Sequence, residues 1–179
     1  MVNILLCGDL QDTSEAEALL PALSLYGGVC SSGAENTDKH GKPVRYFFYE
    51  SAEIPQIELK RGILILKNNI FQQHPVEVPK GFICVLEAGS ITPARLLYGS
   101  STAVVLCGTG PRNTLSLSEL NSSSALVSLQ RSLMPLEGNL VEPREIEVRL
   151  SAERSPQQIL LVSAVLLLSG VDPDNGFII

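Results

Sequence analysis

Short apolar runs of strand length punctuate the first two thirds of the chain: Asn3 to Cys7, Val44 to Tyr49, Gly62 to Lys67, Phe82 to Leu86 and Thr102 to Cys107. Only the second of them alternates. Continuous runs such as Ile63-Leu64-Ile65-Leu66 and Ala103-Val104-Val105-Leu106 predict strands buried on both faces, as in a parallel sheet. Between the first two runs, Ser14 to Tyr26 carries apolar residues at Ala16, Leu19, Leu20 and Leu23, with Glu15 and Glu17 in the first turn. That spacing predicts an amphipathic helix, starting from a Thr/Ser cap and ending at Gly27-Gly28. Pro21 inside it predicts a kink or an early end. Thr92 to Leu97 has the length of one more short helix.

The period changes after Cys107. Leu115 and Leu117 alternate with Ser116 and Ser118, Val127 and Leu129 with Ser128 and Gln130, and Ile146, Val148 and Leu150 with Glu145, Glu147 and Arg149. Turns at Asn121-Ser122-Ser123 and Glu137-Gly138-Asn139 separate them, so three half-buried strands form an antiparallel ribbon. A last helix begins at Ser155-Pro156 and stops at Gly170. Because Ile159 to Leu168 is apolar nearly all round, that helix is expected to be largely buried. The sum is a three-layer α/β fold in which a ribbon extends a mostly parallel sheet and helices pack over it. One domain is expected over 1–179, with the parallel part at 1–108 and the ribbon and last helix at 109–179. Cys30 to Lys42, rich in Ser, Gly, Asn, Asp and Lys, is predicted to be a mobile surface loop.

Composition agrees with a packed globular protein, at 45% hydrophobic and 18% charged residues. Thirteen Lys and Arg against nineteen Asp and Glu give a net charge of −6. With no basic stripe, the field of the chain opposes nucleic acid and anionic membrane surfaces, and neither is expected as a partner. The N-terminal apolar run ends at Gly8-Asp9 without a small-residue cleavage site, and Ile159 to Leu168 is about half as long as a bilayer requires. A cytoplasmic location is therefore expected. The four cysteines, Cys7, Cys30, Cys84 and Cys107, include no C-x-x-C pair, so no metal site or disulfide framework is predicted. Nucleophile elbows and zinc-helix motifs are also missing from the sequence.

Strand, tight turn and helix at the start of the chain have the layout of a phosphate-binding loop. A working loop needs glycines to expose backbone N–H groups, a Lys for the β/γ-phosphates and a Ser/Thr hydroxyl for Mg²⁺. Here the turn reads Cys7-Gly8-Asp9-Leu10-Gln11-Asp12-Thr13-Ser14. One glycine remains, and each of the two acids would oppose a triphosphate by roughly 1–4 kcal/mol at intermediate dielectric. As a plain β–α junction, the turn uses those acids to cap the helix.

The order of segments resembles the central, ATP-binding domain of the Mur ligases, which join amino acids to carboxylates. The family's first strand leads into G-T-x-G-K-T/S; the matching stretch begins at Gly8, places Asp12 at the Lys position and keeps a hydroxyl at Thr13. Phe47-Phe48-Tyr49-Glu50 resembles the strand that ends in a magnesium-holding acid, with Glu50 in that place. Leu66-Lys67-Asn68-Asn69 through Gln72-Gln73-His74 is similar to the family's T-N and D-H segment, keeping Asn69 and His74 but with Gln73 for the acid. Val85-Leu86-Glu87-Ala88-Gly89-Ser90 has the shape of V-L-N-x-D-D without its Asn and acids, and Val104 to Gly108 resembles the next strand and glycine. The resemblance implies the fold. The losses at Asp12, Gln73, Glu87 and Gly89-Ser90 imply a disused nucleotide site and no resident cofactor.

Three functions are compatible with this pattern. The first is a non-catalytic relative of the ligase domain, surviving as an interaction or assembly module with a protein partner or as a homo-oligomer. The second is an ATP-dependent amide ligase, or a subunit of one, that uses Gly8, Thr13, Glu50, Asn69 and His74 around an unorthodox phosphate site. The third is a small-ligand domain using the carboxyl edge of the sheet. There Gly108-Thr109-Gly110-Pro111-Arg112-Asn113 forms a Gly-rich turn whose Gly108 and Arg112 could hold an anion. The plain alternative is a turn into the ribbon with Arg112 solvated.

Overall fold

A computed structural model describes residues 1–31, 42–72 and 78–179. Ten strands and three α-helices follow in the order β1 (Val2–Cys7), α1 (Ser14–Tyr26), β2 (Gly28–Ser31), β3 (Val44–Ser51), β4 (Gly62–Leu66), β5 (Phe82–Glu87), α2 (Ile91–Leu96), β6 (Ala103–Cys107), β7 (Leu115–Leu120), β8 (Ser124–Leu129), β9 (Arg144–Arg149), α3 (Pro156–Leu168) and β10 (Phe177–Ile178). All ten strands join one sheet, ordered β10-β9-β8-β7-β6-β5-β4-β1-β3-β2. From β2 to β6 every pairing is parallel; β7, β8 and β9 pair antiparallel. This is the predicted α/β architecture, a mostly parallel sheet with an antiparallel extension.

The continuous apolar runs of β1 and β4 do what their pattern requires; that of β6 does not, because Ala103 and Val104 are exposed at the start of the strand and only Val105 and Cys107 are buried. In β1, Val2, Ile4 and Leu6 face one core together with α1 and α3, while Leu5 and Cys7 face a second core on the other side of the sheet. Ile54, Ile70 and Leu97 cover that second face, so irregular chain and the end of α2 form the third layer. β4 is buried along its whole length. Every residue of α3 from Ile159 to Leu168 is buried, as an all-round apolar helix must be. Its end is a Schellman turn: Gly170, at φ +71, donates to the Leu167 carbonyl and Val171 to that of Leu166.

The structure departs from the sequence reading at four other points. Pro21 neither ends α1 nor splits it; the helix runs on to Tyr26, held by buried Leu19, Ala22 and Leu23. Thr13 sits at the N-cap but makes no side-chain cap bond, its hydroxyl donating instead to Glu17 Oε1 at 2.7 Å. Cys30 and Ser31, assigned to a loop, form the end of β2, paired with Phe47 and Phe48; residues 32–41 of that predicted loop, His40 included, lie outside the described residues. β10, whose two residues pair with Val148 and Arg149, has too short a run to be seen in the sequence.

Candidate functional site

Strand β1 lies between β3 and β4. The chain leaving β1 goes to one side, through α1 to β2, and the chain leaving β4 goes to the other, to β5. A crevice therefore opens between the carboxyl ends of β1 and β4, the place where open α/β sheets hold ligands. In this protein a side chain of its own fills it. Lys67 follows β4, donates its backbone N–H to the Cys7 carbonyl at 2.9 Å, and has a fully buried side chain. Its Nζ donates to the carbonyl oxygen of Asp9 at 2.8 Å, to that of Asp12, and to Glu50 Oε1 at 2.8 Å. An ammonium has three protons to give, and all three are placed.

The turn is wrapped around that ammonium. Its carbonyl oxygens at Asp9 and Asp12 point inward, where a phosphate-binding turn presents N–H groups. The carboxylates point away and satisfy the turn locally. Asp9 Oδ1 accepts from Gln11 N at 2.9 Å, and Asp12 Oδ1 accepts from the backbone N–H and hydroxyl of Ser14 at 3.2 and 2.6 Å. Asp12 therefore supplies the helix cap that Thr13 does not. Those two bonds from Ser14, with Lys67 nearby and Asn69 donating to Oδ2, hold the Asp12 carboxyl below the usual carboxylate range. Asn69 Oδ1 also accepts from Asp9 N at 3.4 Å. Gly8, at φ +147, passes so close over Lys67 that a Cβ there would lie 2.5 Å from Lys67 Cβ.

Beside the filled crevice is an open one. A cleft of about 450 Å³ runs along the ends of β4, β5 and β6, between the N-termini of α1 and α3. Ile65, Val85, Leu86, Leu160 and Leu161 give it an apolar floor, and Glu15, Asn68, Glu87 and Gln157 a polar rim. At the rim Asn68 donates to Glu87 Oε2, and the Ser90 hydroxyl donates to Asn68 Oδ1. The two helix starts are tied together by Gln158 Nε2, which donates to the Ser14 carbonyl at 2.8 Å. Cys107 lies in the wall, its thiol pushed up to about 12 by burial and, less strongly, by Glu87.

The sequence matches no family model and no curated protein. Solved structures do match it. MurF from Acinetobacter baumannii is 15% identical, with a TM-score of 0.56 over 98% of this chain and 44% of that one. The MurF ligase of Thermotoga maritima, determined in complex with ADP, is 14% identical, with a TM-score of 0.55 over 97% of this chain and 46% of that one. A murein peptide ligase, Mpl, from Psychrobacter arcticus 273-4 gives 13%, 0.55, 94% and 44%. The fold is Mur ligase-like. The chain spans less than half the length of each of these ligases.

Within this Mur ligase-like fold, the positions picked out by resemblance separate into two groups. Gly8, Glu50 and Asn69 come together at the first turn, the first two touching Lys67 and the third touching Asp9 and Asp12; Thr13 is adjacent and exposed. His74 and Gln73 lie outside the described residues. Gly108 lines the open cleft; a Cβ on it would meet Ala88 Cβ and Asn113 Nδ2, both at 2.6 Å. Arg112 is exposed and does not line the cleft, and its carbonyl accepts from Arg131 Nη2 at 3.0 Å. The residue that sequence reasoning passed over is Lys67. Its signal was there: a Lys directly after five continuous apolar strand positions must find buried acceptors or end the strand at the surface. No helix among the described residues is long and apolar enough to cross a membrane.

Proposed function

We propose that this chain is a non-catalytic Mur ligase-like domain in which Lys67 has taken over the phosphate-binding turn, and that it acts as an interaction or assembly module. The observation that carries the reading is the placement of the Lys67 ammonium against the carbonyls of Asp9 and Asp12 and the carboxylate of Glu50. A magnesium nucleotide does not fit that arrangement. The acid that would face a magnesium ion is already paired, the inward-facing backbone atoms are oxygens that repel phosphate, and Asp12 stands where a phosphate-binding Lys would. Emptying the crevice would strand a buried ammonium, which costs several kcal/mol by about the same reasoning that makes half-broken buried ion pairs costly. The test is calorimetric titration of the purified chain with ATP and Mg²⁺, beside a thermal-shift series. No saturable heat and no shift at millimolar nucleotide are expected; tight, magnesium-dependent binding overturns the reading.

One observation favours a second reading. Gly8, Glu50 and Asn69 do converge on one turn, as a ligase or ligase subunit with an atypical phosphate site would need. That reading requires nucleotide hydrolysis, alone or with cell-extract partners, that Glu50→Ala abolishes. Hydrolysis that is never detected removes it.

A further inference from the structure

We infer that the open cleft at the ends of β4, β5 and β6 is a small-molecule site whose ligand is an organic cation with an apolar body. Its size and make-up are those of a ligand pocket: about 450 Å³, with a floor of buried aliphatic side chains and a few polar groups at the rim. The charge of the ligand follows from what the rim offers and what it has already spent.

Two helix N-termini face the cleft, an arrangement that by itself would favour an anion. Both are closed. At α3, Ser155 Oγ accepts from Gln158 N at 3.2 Å, Gln158 Oε1 accepts from Ser155 N at 3.0 Å, and Pro156 has no N–H to give. At α1, Asp12 takes the N–H of Ser14, and Glu15 brings its own negative charge into the first turn. Lys67, the cation in the lining, has its three protons committed to Asp9, Asp12 and Glu50. The charge that the lining side chains leave for a ligand is negative. Glu15 and Glu87 both line the cleft, and a carboxylate accepts at about four lone-pair sites. Asn68 fills one site on Glu87, and Glu15 Oε2 lies 2.9 Å from the Ser14 hydroxyl, whose one proton it shares with Asp12 Oδ1. An ammonium at the rim with its hydrocarbon against Val85, Leu86 and Leu161 satisfies both halves of the cleft. A phosphate or carboxylate in the same place meets two like charges, Glu15 and Glu87, with no uncommitted cationic side chain in the lining to offset them.

The experiment uses three probes of one shape: 4-phenylbutylamine, 4-phenylbutanol and 4-phenylbutyrate, titrated into the full chain by ligand-observed NMR and calorimetry. The amine is expected to bind about tenfold more tightly than the alcohol, about 1.4 kcal/mol, with the carboxylate weakest. Glu87→Gln should remove most of the amine's advantage and leave the alcohol unchanged. Thr109→Trp, an exposed rim position that does not touch the core, should block all three probes; unchanged thermal unfolding shows that either variant is folded. Tighter binding of the carboxylate or of inorganic phosphate overturns the inference, as does no binding by any probe, or amine binding indifferent to both variants. Magnesium-dependent ATP binding would overturn the non-catalytic reading and leave this one standing, so the two fail separately.

Discussion

The backbone of Gly8 and the side chain of Lys67 occupy one another's space to the limit: a Cβ on Gly8 would lie 2.5 Å from Lys67 Cβ and 3.0 Å from both Cγ and Cδ. Gly8 is also held at φ +147, a conformation that other residues rarely adopt. The glycine that would admit a phosphate in a nucleotide-binding turn here admits a lysine. Gly8→Ala is expected to cost about 2–4 kcal/mol from overpacking and backbone strain together. Urea denaturation read by circular dichroism checks it. Because the nearest atom is Lys67 Cβ, the penalty of Gly8→Ala should persist in a Lys67→Ala background and shrink in a Lys67→Gly background, although either change at Lys67 is itself destabilising.

Removing Lys67 leaves three acceptors facing a void. Lys67→Ala should destabilise the chain by about 3–5 kcal/mol, the usual cost of breaking a buried ion pair from one side. Glu50→Gln should cost less, about 1–2 kcal/mol, because the amide oxygen can still accept from the ammonium and a quarter of the Glu50 side chain is exposed. A double-mutant cycle with both changes should show strong coupling, measured as denaturation free energies. Additive losses would mean that the pair is not a unit.

Asp12, which the resemblance would set at a phosphate-binding lysine's position, works as the cap of α1 through its bonds from Ser14. Asp12→Ala should therefore cost about 1 kcal/mol near neutral pH, as lost caps do. Its carboxyl is held low in the folded chain, so the stabilisation is present above the unfolded pKa and fades as pH falls through the lowered one. Melts of both proteins should converge in acid. Asp12→Lys should also fail to confer Mg-ATP binding, since Lys67 still fills the crevice, and calorimetry on that variant reads the result directly.

The layout of the fold was legible because it rests on periodicity. Ile63-Leu64-Ile65-Leu66 has the length and the β-branched content of a strand covered on both faces, and the Leu115–Leu117 and Ile146–Val148 alternations have the period of strands covered on one. β2 and β10 escaped because four and two residues at the sheet edges carry no period. The first-turn residues were legible as a group, through Gly8, Glu50 and Asn69, but their centre was not. Lys67 is read as a strand terminus in sequence, and only the pairing of β1 with β4 reveals that its Nζ reaches the carbonyls of Asp9 and Asp12. Likewise the cleft depends on α3 arriving beside α1, a contact between residues 14 and 158 that no local pattern encodes.

Cys7, Cys84 and Cys107 are buried in the two cores. Burial pushes each thiol from an ordinary value of 9.0 up to about 12; the neighbouring Cys84 thiol adds to the rise at Cys7, and Glu87 adds to it at Cys107. Between those values the folded chain holds protons that the unfolded chain releases, so stability must fall as pH rises from about 9 toward 12. Tyr46, whose buried hydroxyl is also raised, works in the same direction above its ordinary 10.0. Denaturation midpoints measured at pH 8, 9, 10 and 11 should decline, and Cys84→Ala should flatten the decline because one displaced proton is gone. The same burial keeps the thiolate scarce at neutral pH. A disulfide reagent at pH 7.5 is therefore expected to titrate at most one thiol in the folded chain and all four once it is unfolded; rapid modification of two or more would show that these thiols are neither buried nor inert.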